Sequence, residues 1–207
     1  KDGWPMLGDE NGLIPSTMGK PMAGYSGGEI VSSDEFDSDK LNINWQWNHN
    51  PVAEGWSLTD RPGFMRLKTT RVVDNLYLAP NTMTQRMEGP ECTASVKLDI
   101  ARMKDGDVCG FSAFNGDAGV VKVVKEGKKA FVVADSESVK LTDKEKKVTD
   151  VTIKEAFRQE LKRGTKSVYF RIDANFRPGT DLATLYYSAD GNTWTPLIKD
   201  YKMIFDY

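Results

Sequence analysis

One histidine and two cysteines are all that 207 residues offer for soft metal chemistry. A structural zinc site needs a cluster of Cys and His ligands, and His49, Cys92 and Cys109 make none, which excludes zinc as an organising element. Two cysteines also cannot form a disulfide framework. Each precedes or sits in an apolar run, so they read as two buried thiols, the alternative being one disulfide. Charge of one sign is missing too: 28 basic and 30 acidic residues leave a net charge of −2. Such a balance carries no electrostatic footprint for nucleic acid. No apolar run reaches the ~18 residues of a membrane helix. The chain begins Lys1-Asp2-Gly3 with neither an initiator Met nor a signal peptide, and so reads as a processed or excised piece.

What is abundant is ring surface and alternation. Five Trp and seven Tyr accompany 39% hydrophobic residues, enough for a core without staples. Residues 1–30 are rich in Gly and Pro, including Gly3, Pro5, Gly8, Gly12 and Pro15, and show no period; they read as an arm or linker. From Ser33 onward the period is two. Leu41, Ile43, Trp45 and Trp47 alternate with Asn42, Asn44, Gln46 and Asn48, which predicts a strand with an apolar core face and an amide face. Ala94, Val96, Leu98 and Ile100 share one face of a second strand, and Val168, Phe170 and Ile172 one face of a third. Alternation implies one buried face and one that is wet or binds something.

Further strands are expected at 64–69, 75–78, 109–115, 119–124, 130–134, 148–153 and 183–188. Lys125-Glu126-Gly127-Lys128 predicts a hairpin, as does Asp190-Gly191. Residues 154–162 are ambiguous: Ile153, Phe157 and Leu161 fall at helical spacing, so a short helix or a strand and loop both fit. Many short strands at this length predict an all-β fold, a two-sheet antiparallel, jelly-roll-like sandwich.

One block is more specific. Ser33-Asp34-Glu35-Phe36-Asp37, then Leu41 through Pro51, Trp56-Ser57-Leu58 and Arg61-Pro62-Gly63-Phe64 closely resemble the start of the concanavalin-like C-terminal β-sandwich of glycoside hydrolase family 43. That family holds β-xylosidases and α-L-arabinofuranosidases. Asn81-Thr82-Met83-Thr84-Gln85-Arg86, Lys104-Asp105-Gly106-Asp107-Val108-Cys109-Gly110-Phe111 and Tyr186-Tyr187-Ser188-Ala189-Asp190-Gly191-Asn192-Thr193-Trp194 continue the likeness, although the family more often has Ala at position 109. Lys1-Asp2-Gly3-Trp4-Pro5 resembles the last propeller strand of the catalytic domain. The resemblance implies that 1–32 are a propeller exit plus linker arm and 33–207 an accessory sandwich. By the same likeness roughly thirty further residues would follow Tyr207.

The resemblance puts the catalytic carboxylates upstream of Lys1, so no catalytic residue is assigned and the chain alone is expected to be inactive. Its partners would be its own upstream propeller and a xylo- or arabino-oligosaccharide, in a secreted or periplasmic bacterial parent. A loop of the sandwich could help close the propeller's sugar pocket, with Asn48, His49 and Trp56 as candidate ligand contacts. His49 also fits a turn histidine bonded to backbone. Gln85 and Arg86 form a candidate polar patch, with Arg86 expected to pair with a buried acid. Asp34, Glu35, Asp37 and Asp39 are candidate oxygen ligands for a structural calcium, although they do not follow EF-hand spacing. Ser188 through Trp194 fits a short hairpin motif whose Asp caps the turn and whose Trp plugs the core. The rival reading is an autonomous carbohydrate-binding module, which requires an exposed aromatic platform.

Overall fold

A computed structural model of the chain describes residues 8–9, 11–17, 19, 24, 33–144 and 146–204. The arm expected over 1–32 and the tail expected beyond Tyr207 fall largely or wholly outside them. Four two-residue strands come first: β1 (Gln46–Trp47), β2 (Trp56–Ser57), β3 (Arg66–Leu67) and β4 (Met83–Thr84). They pair as two antiparallel ribbons, β1 with β4 and β2 with β3. Eight longer strands follow. These are β5 (Glu91–Asp99), β6 (Val108–Asn115), β7 (Asp117–Glu126), β8 (Lys129–Leu141), β9 (Val148–Glu160), β10 (Ser167–Asn175), β11 (Leu182–Ser188) and β12 (Thr195–Lys202). Sheet I has the order β12-β11-β10-β5 and sheet II the order β6-β7-β8-β9.

The sheets pack face to face, as the alternation predicts. On β10, Val168, Phe170, Ile172 and Ala174 are buried, while Tyr169, Arg171 and Asp173 point outward and are half-buried. Leu185 and Ala183 of β11 join them, and Val121, Val123 and Val132 close the core from sheet II. The turn between β7 and β8 is the expected hairpin: Glu126 pairs with Lys129, and Gly127 sits at φ 55, where a side chain would be strained.

Sheet II departs from the one-face pattern. Residues paired across strands share a face. Val121 with Ala134 and Val123 with Val132 look inward, whereas Val120 with Asp135 and Ala118 with Glu137 look the other way. Both sets are buried. The second face is closed by the segment before β5: Leu76 N donates to Glu137 Oε2 at 3.0 Å, and Leu58 and Asn75 of that segment are buried. The sandwich thus carries a third, loop-rich layer.

Three expected strands are cut short or absent, and one ambiguous stretch is resolved; the strand over 64–69 survives only as β3. The strand over 41–48 survives only as β1. Asn42 Oδ1 accepts from Asn44 N at 3.0 Å and Asn42 O from Trp45 N at 3.1 Å, a turn that leaves Ile43 93% exposed. Residues 75–78 are not a strand but a 3-10 turn, Leu76–Leu78, capped by Asn75 Oδ1 accepting from Leu78 N at 3.1 Å. The ambiguous stretch at 154–162 resolves as the second half of β9. Ala134 pairs with Phe157 but Asp135 with Glu155, so Ala156 is a bulge. The bulge puts Ile153 and Phe157 on opposite faces. As the outer strand of sheet II, β9 exposes Lys154, Glu155, Arg158 and Glu160, charges that discourage further pairing.

Candidate functional site

The ribbons bring most of the candidate ligand contacts together. Trp47 on β1 and Trp56 on β2 meet with ring centroids 5.5 Å apart. Beside them the chain after β1 is fastened to the 3-10 turn. His49 Nε2 donates to Tyr77 O at 2.7 Å, Asn48 Nδ2 to the same carbonyl at 3.2 Å, and Asn48 N to Thr82 O at 2.9 Å. The His49 ring stands edge-on to Tyr77, centroids 6.5 Å apart. Both tryptophans are half-buried, against a crevice walled by Pro51, Val52, Thr70 and Pro80 that is too narrow for a sugar ring. Trp47 and Trp56 therefore form a stiff wall rather than an enclosed pocket. Gln85 and Arg86 follow β4 directly, the first half-buried and the second exposed. The two buried acids of the sandwich, Asp135 and Glu137, are held by Lys122 and not by Arg86.

The four acids proposed for calcium are not assembled as ligands. Among the described residues no group of three or more Asp, Glu, His or Cys is arranged to hold a metal ion. Asp34 is otherwise engaged: its Oδ2 accepts from Trp45 Nε1 at 2.8 Å and its Oδ1 from Phe36 N at 2.8 Å. Phe36 stacks on Trp45, centroids 5.6 Å apart. Each Asp34 oxygen thus already accepts one hydrogen bond, which fixes the carboxylate towards Trp45. Both cysteines are free thiols, and burial pushes the Cys109 thiol up to about 11.

The outward face of sheet I holds a second constellation, which the sequence reading missed. Register places Thr93, Asp173 and Thr184 in one row, Ser95, Arg171 and Tyr186 in the next, and Lys97, Tyr169 and Ser188 in a third. Arg171 grips Asp173 with two bonds, Nε to Oδ1 at 2.7 Å and Nη2 to Oδ2 at 2.6 Å. Thr93 Oγ1 donates to Asp173 Oδ1 at 2.8 Å. The guanidinium lies 5.3 Å from the Tyr186 ring and 5.8 Å from the Trp194 ring. Burial alone would raise the Asp173 pKa, but Arg171 and Thr93 outweigh it and the carboxyl titrates below its ordinary range. A cleft of about 440 Å³ opens at the Asp173 end, with Glu91, Thr93, Asn175, Thr180, Thr184 and Asp200 in its lining. The available signal was the odd-numbered register of the strand at 167–173, whose even positions had marked the core.

Trp194 accordingly does not plug the core. It lies by Arg171 on the outward face, because the six residues between β11 and β12 fold back over that face. The turn itself is as expected: Asp190 Oδ1 accepts from Asn192 N and Thr193 N, both at 2.8 Å, and Ser188 Oγ accepts from Gly191 N at 2.9 Å. Those backbone donors bring the Asp190 carboxyl down to about 2.

Comparison with known proteins agrees with this layout. Residues 33–206 match the family model described as the β-xylosidase C-terminal concanavalin A-like domain. A protein named beta-xylosidase from Formosa agariphila is 33% identical over 181 residues, covering 74% of this chain and 31% of that protein. A non-reducing end α-L-arabinofuranosidase of Bacteroides ovatus is 30% identical over 110 residues, 53% of this chain and 21% of that protein. Among solved structures, a GH43 glycoside hydrolase engineered to display both endo-xylanase and exo-arabinofuranosidase activity superposes with a TM-score of 0.83 at 30% identity. It covers 98% of this chain, which spans 41% of it. A bifunctional GH43-CE protein of Bacteroides eggerthii gives 0.77 at 37% identity, over 95% of this chain and 24% of that one. The chain thus spans less than half of each of these relatives. The model match begins at Ser33, where the Asp34–Trp45 and Trp47–Trp56 cap begins, and runs through both sheets, so the chain belongs to the family of β-xylosidase C-terminal concanavalin A-like domains.

Proposed function

We propose that this sandwich is the non-catalytic accessory domain of a family 43 glycosidase acting on xylose- or arabinose-containing polysaccharide. It buttresses the upstream propeller and supplies one wall of its sugar pocket. The observation that carries this reading is the cap: a stiff Trp47–Trp56 pair beside a His49–Tyr77 latch, with no room of its own for a sugar. A wall without a pocket is what a domain contributes when a second body completes the site. The chemistry of the acids supports it as well. Asp135 and Glu137 share Lys122 beneath the Leu76 backbone, sealed from substrate. A glycosidase needs two carboxyl groups flanking an accessible bond. The reading calls for no metal, and a parent that degrades polymer would work in the periplasm or outside a bacterial cell.

Two assays test it. The chain alone is expected to show no turnover of aryl xylosides or arabinofuranosides, and clear turnover by pure protein would overturn the non-catalytic assignment. In the intact parent, Trp56→Ala is expected to raise KM for oligosaccharide with the fold intact. An unchanged KM would remove the cap from the pocket.

A further inference from the structure

We propose that the outward face of sheet I is itself a carbohydrate-binding surface, taking a neutral oligosaccharide of two or three sugar units across Tyr186, Trp194 and the Asp173 cleft. Size admits such a ligand, since the cleft of about 440 Å³ lies within the ~300–1,000 Å³ of small-molecule sites. Its lining selects the chemistry. Arg171 neutralises Asp173 and Arg177 neutralises Glu91, so the lining carries no surplus positive charge to recruit phosphate, sulfate or nucleic acid. The hydroxyls of Thr93, Thr180 and Thr184 and the amide of Asn175 alternate with the apolar Cys92, Ala174 and Leu182, a mixed wall that suits a ligand with both hydroxyls and C–H faces better than a lipid or hydrocarbon. What remains is a ligand rich in groups that both donate and accept, which describes sugar hydroxyls.

The rings supply the other half of sugar recognition. A sugar presents a C–H face as well as hydroxyls, and that face packs on aromatic rings. Tyr186 neighbours Asp173 one row along the sheet, and the Trp194 ring lies within 5.8 Å of the same Arg171 guanidinium. Same-face rows lie ~7 Å apart along a strand, so the patch from Thr184 past Tyr186 to Trp194 spans more than one sugar unit. The surface is also preorganised. Arg171 is fixed by two bonds to Asp173, which Thr93 holds in turn, so a ligand would order few side chains on binding.

The choice of pentose probes rests on the function proposed above, and the experiment separates the two ideas. Xylotriose, an arabinotriose and cellotriose are titrated into the chain by calorimetry, with amide chemical shifts followed in parallel. Saturable binding is expected, with shifts concentrated at Tyr169, Asp173 and Thr184. Trp194→Ala and Tyr186→Ala should each weaken it about tenfold, or about 1.4 kcal/mol, with unchanged melting temperature, and Trp56→Ala should leave it unmoved. No saturable binding at concentrations of about 10 mM, tenfold above a millimolar Kd, overturns the proposal. So does binding that Trp56→Ala abolishes and Trp194→Ala spares, an outcome that would keep the pentose reading. Binding of cellotriose alone, lost in Trp194→Ala, would uphold the face and overturn the pentose reading.

Discussion

Replacing Lys122 by Met should remove much of the stability of the sandwich, and the loss should depend on pH. Lys122 is only 14% exposed, and its Nζ lies 2.6 Å from Asp135 Oδ2 and 3.2 Å from Glu137 Oε1. Both acids are almost fully buried, at 2% and 5% exposed. Asp135 Oδ1 has no hydrogen-bond partner among the described residues. Met fills similar space but leaves two buried carboxylates uncompensated, and breaking a buried pair this way costs about 3–5 kcal/mol. With a urea slope of ~2 kcal/mol per molar, the unfolding midpoint should fall by about 2 M. The sign of the pH effect follows from Asp135. Burial raises its pKa even against the pull of Lys122, so the folded state binds the proton more tightly than the unfolded one. Stability therefore declines as pH rises from the ordinary value of 3.8 through the folded one. Without Lys122 that window extends upward, and the gap between variant and parent should narrow as pH falls. Urea melts followed by tryptophan fluorescence at neutral and mildly acidic pH measure this. The variant Lys122→Met/Asp135→Asn/Glu137→Gln should recover most of the loss, since Gln still accepts from Leu76. If it is as unstable as the single variant, or if the gap does not change with pH, uncompensated charge is not the cause.

Three other outcomes follow from the same geometry. Phe170→Ala empties the centre of the sandwich, where Phe170 is fully buried, and should cost about 3–5 kcal/mol in a denaturant melt. The Asp190 turn contributes stability that is fully present above the unfolded value of 3.8 and lost as pH falls through about 2; a carboxyl-carbon NMR titration should find that low value, and Asp190→Ala should flatten the acid limb of the stability profile. Cys109, at about 11 against an ordinary 9.0, should react roughly tenfold more slowly with a thiol reagent than the same cysteine in denatured protein, its smaller thiolate fraction being partly offset by a more nucleophilic thiolate, as timed absorbance at mildly alkaline pH would show.

The body of the fold was legible because its strands alternate cleanly. β10 needed nothing beyond Val168, Phe170 and Ile172, and the Gly127 hairpin nothing beyond its turn residues. Two failures share one cause, local hydrogen bonds that override period. Asn42 and Asn75 sit in runs whose apolar spacing predicts strand, yet each side chain accepts from a backbone amide two or three residues on and turns the chain. On β9 the spacing was ambiguous because residues four apart share a face in a helix and in a strand alike, and the bulge at Ala156 then moves Ile153 and Phe157 to opposite faces. The candidate site was legible in part. The tryptophan, histidine and amide block came together as a cap, but the Trp47–Trp56 contact and the Tyr77 carbonyl depend on chain pairing that no local pattern encodes.

The third layer explains why the most distinctive stretch of sequence is also the least regular. A sandwich needs one buried face per sheet, and sheet II has two, so residues 33–90 must cover an additional face that carries Lys122, Asp135 and Glu137. Here that cover is mostly irregular, with only four two-residue strands. It must deliver a backbone donor to Glu137, as Leu76 does, and turn sharply enough to seat Trp47 against Trp56. Each requirement fixes a particular side chain at a particular bend: Asn42 for one turn, Asn75 for another, His49 for the tie to Tyr77. Strand positions in the two sheets accept many apolar residues of similar size, whereas these bends accept few. The segment is therefore specific in sequence because it is irregular in structure.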